Sequence, residues 1–254
     1  MLDLLIITGA GRGIGASVAD ACSPFSRAVA LIGSSQKVKD KAAAITNSQA
    51  MQLDLGNYDL VDQVVSPWIP SDVPQSIGVA LCAATLGEPG GVFDTELSDW
   101  DRTYRTNLLG NIAVLKSVVT KMHPTSKLRV VFFAGGGAAY AYPEFSGYAL
   151  SKVATVRAVE NLAQEFKSKS LNAAIVALAP GAVSTEMLAK VVAHGGAVKT
   201  HTDISEPTIF VRRFLTDDMP CLKMSGRFIH VRDSVEPEHI NQLSDLQFKL
   251  RRVE

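Results

Sequence analysis

Tyr148 and Lys152 stand four residues apart in the run Tyr148-Ala149-Leu150-Ser151-Lys152, inside a stretch of helical period. Residues at that spacing share one face of a helix, so the phenol and the ammonium point together. A tyrosine with a pKa of about 10 is a poor acid or base near neutrality, but a neighbouring ammonium favours the phenolate and brings the group towards its working range. The chemistry implied is proton exchange with an oxygen of a small molecule. Such a pair in isolation is usually a solvated helix face, so its meaning rests on what else the chain carries.

A second constellation opens the chain. Thr8-Gly9-Ala10-Gly11-Arg12-Gly13-Ile14-Gly15 follows the apolar run Leu4 to Thr8 directly and leads into a helical stretch. Glycines at these positions let the chain turn with positive φ, let backbone approach a pyrophosphate, and leave the N–H groups of a helix start facing negative charge. Ala16 stands where the third glycine of GxGxxG would fall, and the wider Thr-Gly-x-x-x-Gly-x-Gly spacing describes the loop better. The alternative is a glycine-rich turn without a ligand; the strand before it and the helix after it favour a phosphate cradle.

The ribose end of a dinucleotide is read about 20 residues further on, where an acid holds the 2′-hydroxyl in NAD sites. Gly33, Ser34 and Ser35 occupy that place. With no carboxylate to repel a 2′-phosphate, with two hydroxyls to bond it and Arg12 to pair with it, NADP is the expected cofactor and NAD the alternative. The competing reading is a solvated Arg12 beside a plain Ser34-Ser35 turn.

The elements that must position these groups follow a βαβ pattern. Seven β-branched runs read as strands: Leu4 to Thr8, Ala28 to Ile32, Ala50 to Leu53, Ile77 to Cys82, Leu128 to Phe133, Ala173 to Leu178 and Arg227 to Val231. Helical periods fill the gaps over Gly13 to Cys22, Lys37 to Ile45, Asp59 to Val65, Ser98 to Met122, Ser146 to Lys169 and Glu206 to Leu215. The strands are continuously apolar, which implies burial on both faces. The fold class expected is α/β: one Rossmann-type, doubly wound parallel sheet of about seven strands with helices on both faces, as a single domain over residues 1–254.

Composition narrows the partners. Lys plus Arg equals Asp plus Glu at 25 each, so no net field draws the chain to nucleic acid or an anionic membrane. No run of ~20 apolar residues offers a membrane span, and the apolar start lacks the basic lead of a signal peptide. Cys22, Cys82 and Cys221 form no CxxC pair, and the five histidines hold no metal-ligand spacing, so no disulfide framework and no metal is expected. A soluble protein of the reducing cytoplasm, acting on a small molecule, fits these counts.

Together the motifs resemble the short-chain dehydrogenase/reductase (SDR) family, from Leu4 to about Val231. The glycine loop, the Tyr148/Lys152 pair, Asn107 in Arg105-Thr106-Asn107-Leu108 and Pro180-Gly181-Ala182-Val183-Ser184-Thr185 stand in family order. The resemblance implies hydride transfer between a nicotinamide and a carbonyl or alcohol carbon. In it Tyr148 exchanges the proton with the substrate oxygen, Lys152 bonds the nicotinamide ribose, and Asn107 interrupts a long helix and holds a water on the proton path. It places Gly9, Arg12, Gly13, Ile14, Gly15, Ser34, Asp54, Leu55 and Ala83 along the dinucleotide, and Pro180, Gly181, Val183 and Thr185 at the nicotinamide. Asp54 would meet the adenine amino group, or could equally cap the following helical region. Cys82-Ala83-Ala84-Thr85 replaces the family's Asn-Asn-Ala-Gly and keeps only the central alanine, so the hydrogen bonds of those asparagines must be replaced or lost.

One departure touches the chemistry. The family serine that binds the substrate oxygen belongs thirteen residues before Tyr148, where Gly135 stands in Ala134-Gly135-Gly136-Gly137. Backbone N–H groups of the glycines could serve a developing oxyanion, or Tyr140, Tyr142 or Ser146 could substitute. A carbonyl reductase or alcohol dehydrogenase is therefore one reading, and a dinucleotide-binding sensor or partner subunit without catalysis is the other. The substrate lid is expected around 186–205, either a solvated loop or an anion clamp built from Lys190, His194, Lys199 and His201. The tail 233–254 could be a folded helix or disordered. The two long helices resemble those that pair SDR subunits, which implies a homodimer or homotetramer.

Overall fold

Alternate residues of the first strand face opposite ways, and both sets are apolar: Leu4 and Ile6 enter one buried cluster, Leu5 and Ile7 another. A strand of that kind is stable only with helices on both sides. The computed structural model describes residues 1–73, 75–196, 198 and 200–250, and it places seven parallel strands in the order β3-β2-β1-β4-β5-β6-β7. They are β1 Leu2–Thr8, β2 Ser26–Gly33, β3 Ser48–Gln52, β4 Ser76–Leu81, β5 Lys127–Phe133, β6 Ala173–Ala179 and β7 Phe228–His230. Each lies within two residues of its expected bounds.

The helices are α1 Gly13–Cys22, α2 Lys37–Ala43, α3 Val61–Val65, α4 Leu97–Tyr104, α5 Gly110–Lys121, α6 Ser146–Ser168, α7 Glu186–Ala193, α8 Ser205–Leu215, α9 Cys221–Met224 and α10 Pro237–Gln242. Val114, Leu115 and Val118 of α5 and Val156 and Val159 of α6 close one face of the sheet. Val18 and Ala19 of α1 and Phe210, Val211 and Phe214 of α8 close the other. The chain winds outward from β1 to β3, then returns to β4 beside β1. That switch point opens a crevice at the carboxyl ends of β1 and β4, where such sheets bind ligands.

Three expectations change. The helix expected over Ser98 to Met122 is α4 and α5 joined by a π-helical stretch, Arg105–Leu109, which is the form the helix interruption at Asn107 takes. The Asp59 to Val65 helix is a 3-10 turn, Tyr58–Leu60, followed by α3. The first half of the lid segment, open to a loop reading, is α7, because the Thr185 hydroxyl accepts from Leu188 N at 3.3 Å and caps it.

As far as Leu250 the tail is docked, with α10 inside it. Buried Arg227 donates to Ser244 O at 3.0 Å and Gln247 O at 2.6 Å, while Glu160 on α6 accepts from Leu250 N at 2.6 Å. Phe228 N donates to Phe248 O at 2.7 Å, so the tail also covers β7. Residues 251–254 of the expected tail lie outside the described part. Among the described residues no helix is long and apolar enough to cross a membrane, and no three His, Cys, Asp or Glu side chains cluster as a metal would need.

Candidate cofactor and catalytic site

The glycine loop is shaped by backbone contact. Gly9 (φ +66°) lies so close to the loop after β4 that a Cβ would stand 2.8 Å from Ala83 Cα, and a Cβ on Gly15 would stand 2.3 Å from Gly9 O. Gly13 also has positive φ, +54°. Arg12 precedes α1 with extended backbone and makes no side-chain cap, so the first N–H groups of the helix, from Gly13, Ile14 and Gly15, are left to a ligand or solvent. This cradle fits a pyrophosphate.

Asn107 and Asn111 hold the far wall, one helical turn apart. The Asn107 amide accepts from Thr85 N at 2.7 Å and donates to Thr85 O at 2.9 Å and Ser151 Oγ at 3.0 Å. Ser151 Oγ in turn donates to Tyr148 O at 2.7 Å. Asn111 accepts from the Thr8 hydroxyl at 2.7 Å and donates to Ala83 O at 3.0 Å, while Thr8 Oγ1 accepts from Ala83 N at 3.0 Å. Ala83 and Thr85 are thus pinned through both backbone groups, which is how the chain replaces the asparagines missing from Cys82-Ala83-Ala84-Thr85. Both amide N–H groups of Asn107 are spent on these contacts, while its carbonyl oxygen, accepting from Thr85 N, keeps a second lone pair. Asn107 positions the loop and α6.

Tyr148 and Lys152 share a face of α6 as expected, yet the ammonium does not lower the phenol. Lys152, 2 % exposed, donates through Nζ to Phe133 O at 2.9 Å and lies 5.6 Å from the Tyr148 ring centroid. Burial, with the neighbouring Tyr142 phenol adding to it, pushes Tyr148 up to about 12, and burial pulls Lys152 down to about 8. Desolvation disfavours each charged form.

The Tyr148 hydroxyl lies over Gly135, 3.1 Å from where a Cβ there would stand. Of the three candidate substitutes for the family serine, Tyr142 is the one brought into the apolar cluster containing Tyr148, with Leu86, Phe145, Met187 and Val191. Ser146 donates to Pro143 O at 3.1 Å, and Tyr140 is exposed.

At the other end of the crevice Ser34 is exposed on the turn after β2. Asp54 is exposed after β3 and accepts from Gly56 N at 2.9 Å, a local turn rather than a helix cap, and Leu55 is buried where Gly110 lets α5 approach. Arg12 is exposed but not alone. It pairs with Glu186, which also takes Lys37 Nζ at 3.2 Å. Neither partner carries a motif in the sequence; Lys37, three residues beyond Ser34, was the available signal.

Gly181 (φ +73°) admits no side chain, since a Cβ would meet Thr202 Oγ1 at 2.1 Å. Beside it Pro180 leads out of β6, Val183 is buried against Thr202, and Thr185 rests on Gly13, 3.5 Å from a Cβ position there to the Thr185 methyl. Of the residues of the anion clamp, exposed His194 Nδ1 bonds Lys190 O at 2.8 Å at the end of α7, the His201 backbone oxygen accepts from Arg232 at 2.6 Å, and Lys199 lies outside the described residues.

Residues 3–195 match the sequence profile of short chain dehydrogenases. An NAD-dependent glycerol dehydrogenase of Listeria innocua is 29% identical over 190 residues, 72% of this chain and 71% of its own. An uncharacterized oxidoreductase of Saccharomyces cerevisiae is 30% identical over 196 residues, 71% of this chain and 75% of its own. Among solved structures, a short chain dehydrogenase of Shigella flexneri complexed with NADP superposes with a TM-score of 0.77 at 18% identity, covering 91% of this chain and 97% of that one. With its glycine loop, its Tyr148/Lys152 pair and its doubly wound sheet, this chain belongs to the short chain dehydrogenase family of oxidoreductases.

Proposed function

We propose that the chain is an NADP-dependent oxidoreductase that interconverts a carbonyl and an alcohol, with Tyr148 exchanging the proton with the substrate oxygen. The observation that carries this reading is the placement of the Tyr148 hydroxyl, half-buried over Gly135 at the end of the crevice and on the face of α6 that it shares with Lys152. A carbonyl oxygen gaining a hydride needs such a donor. Bound nicotinamide supplies or accepts the hydride, and the chain's own residues do the rest. Gly9, Gly13, Ile14 and Gly15 bind the pyrophosphate, Arg12 and Ser34 the ribose 2′-phosphate, and Asp54, Leu55 and Ala83 the adenosine side. Pro180, Gly181, Val183 and Thr185 orient the nicotinamide, with Lys152 at its ribose.

Relatives use both cofactors by name, NAD in the Listeria glycerol dehydrogenase and NADP in the Shigella complex. The missing acid at Gly33-Ser34-Ser35 and the cations Arg12 and Lys37 favour NADP here. Leu86, Tyr142, Met187 and Val191 pack in one apolar cluster with Tyr148, which suits a substrate with an apolar group next to its carbonyl. The working unit is a homodimer or homotetramer.

Gly135 supports the second reading, a dinucleotide-binding protein without turnover, because no side-chain hydroxyl at that position can hold a substrate oxygen. A screen of apolar ketones and aldehydes with NADPH and NADH, following loss of reduced-nicotinamide absorbance, separates the two. Turnover that Tyr148→Phe lowers by about 10² to 10⁴ while cofactor binding persists supports the enzyme. Tight NADPH binding with no turnover on any carbonyl supports the binding protein.

A further inference from the structure

Three segments meet beside the glycine loop, each held by close contact. A Cβ on Gly11 would stand 3.2 Å from Lys37 Cβ, which seats the start of α2 against the loop, and Thr185 rests on Gly13. Within this junction Arg12 and Lys37 present two cations, and one carboxylate takes both. Glu186 Oε2 accepts from Arg12 Nη1, and Oε1 accepts from Lys37 Nζ. The carboxylate belongs to the first turn of α7, whose Met187 and Val191 pack towards Tyr148. It is ionised at neutral pH, since the Lys37 hydrogen bond and then the Arg12 charge hold it below the usual carboxylate range. The three side chains are 56–64 % exposed, so these pairs are weak and exchangeable rather than structural.

We propose that Glu186 is a specificity-determining residue that competes with the cofactor 2′-phosphate for Arg12 and Lys37, and so ties α7 to the identity of the dinucleotide. This rests on the NADP reading above. A phosphate at these cations meets Glu186 as a like charge and must displace it. NAD carries no such group and leaves the Glu186 bridge closed, with α7 fastened across the loop. NADP opens the bridge and frees the helix that walls the space beside Tyr148. The competitor lowers NADP affinity and leaves NAD affinity untouched.

The test compares dissociation constants of NADP and NAD for the full chain and for Glu186→Gln by calorimetry. We expect Glu186→Gln to bind NADP about three- to tenfold tighter, the range of two weak exposed pairs, with NAD changed less than twofold. A wild-type preference for NADP with no gain in Glu186→Gln overturns the inference and leaves the cofactor reading standing. Wild-type NAD binding equal to or tighter than NADP overturns both. A second measurement needs no variant: adenosine 2′,5′-bisphosphate should speed tryptic cleavage after Lys190 in α7, and adenosine 5′-monophosphate should not. Equal rates with the two probes overturn the inference.

Discussion

The hydroxyl of Tyr148 lies 3.1 Å from the place a Cβ on Gly135 would take. Gly135 has φ 168° and ψ 178°, extended backbone open to any residue, so conformation does not demand glycine there. What glycine spares is room for the phenol. An alanine must push the ring aside by a few tenths of an ångström, and a misplaced reacting group is costly, about 10²-fold for a full ångström. Gly135→Ala should therefore lower turnover by about tenfold or less, while Gly135→Ser, with the same Cβ and a hydroxyl within reach of the phenol, should match or exceed wild type. Steady-state kcat on one substrate reads both. A serine variant as poor as the alanine variant would show that no hydroxyl is wanted at 135.

Lys152 sets the expected pH response. Burial pulls it from 10.5 down to about 8, so its ammonium is lost across the range from neutrality to mild alkali. The value of kcat/KM for NADPH reports the free enzyme, and it should fall above pH about 8 with the slope of one proton. Tyr148, raised to about 12, adds no limb below that value. Stability runs the other way: between pH about 8 and 10.5 the unfolded chain binds a proton the folded chain does not, so folding gains as pH rises. Lys152→Met lacks that gain, and the difference in denaturant midpoint between variant and wild type should move in favour of wild type from pH 7.5 to 9.5. A constant difference would contradict the depressed lysine.

The contrast between Lys152 and Arg12 shows what a sequence can carry. Strand periodicity, the glycine spacing and the four-residue step from Tyr148 to Lys152 are local facts, and the sheet and the shared face of α6 follow from them. The protonation of Tyr148 is not local, because burial by the fold, with Tyr142 beside it, decides it. Arg12 meets Glu186 across 174 residues and Lys37 meets it across 149, and no spacing rule reaches so far. The helix α7 was legible in part. Thr185 followed by Glu186, with Met187 and Val191 four apart, is a cap and an apolar face, but the glycines and histidines after it pointed to a loop.

Asn111 carries no family motif in our reading of the sequence, yet it joins β1, the loop after β4 and α5. It is fully buried, as is Thr8. Asn111→Ala orphans the Thr8 hydroxyl and Ala83 O together, at about 1–3 kcal/mol for each buried group left unpaired. Denaturant unfolding should show a loss of about 2–6 kcal/mol. Asn107→Ala should differ in kind, because Asn107 reaches the Tyr148 backbone through Ser151: it should lower kcat as well as stability. If both variants lose stability alone, Asn107 does not position the tyrosine.

The last prediction concerns assembly. The two long helical segments pack against each other, with Trp100 of α4 3.1 Å from a Cβ position on Gly147 of α6, and they expose large apolar side chains. Leu97 on α4 is 72 % exposed, Leu109 at the end of the π-helical stretch 39 % and Leu150 on α6 44 %. Exposed leucines on these neighbouring helical segments suit a self-complementary, two-fold contact. The β7 edge of the sheet is unsuited to one, because Phe228 N already donates to Phe248 O and the chain's own tail lies along β7. A homodimer through α4 and α6 is therefore expected before any tetramer. Light scattering at micromolar concentration should give a dimer mass for wild type and a monomer mass for Leu150→Glu, since an unpaired carboxylate in an apolar contact is strongly disfavoured. A monomeric wild type removes the prediction, and a dimer that survives Leu150→Glu moves the contact away from α6.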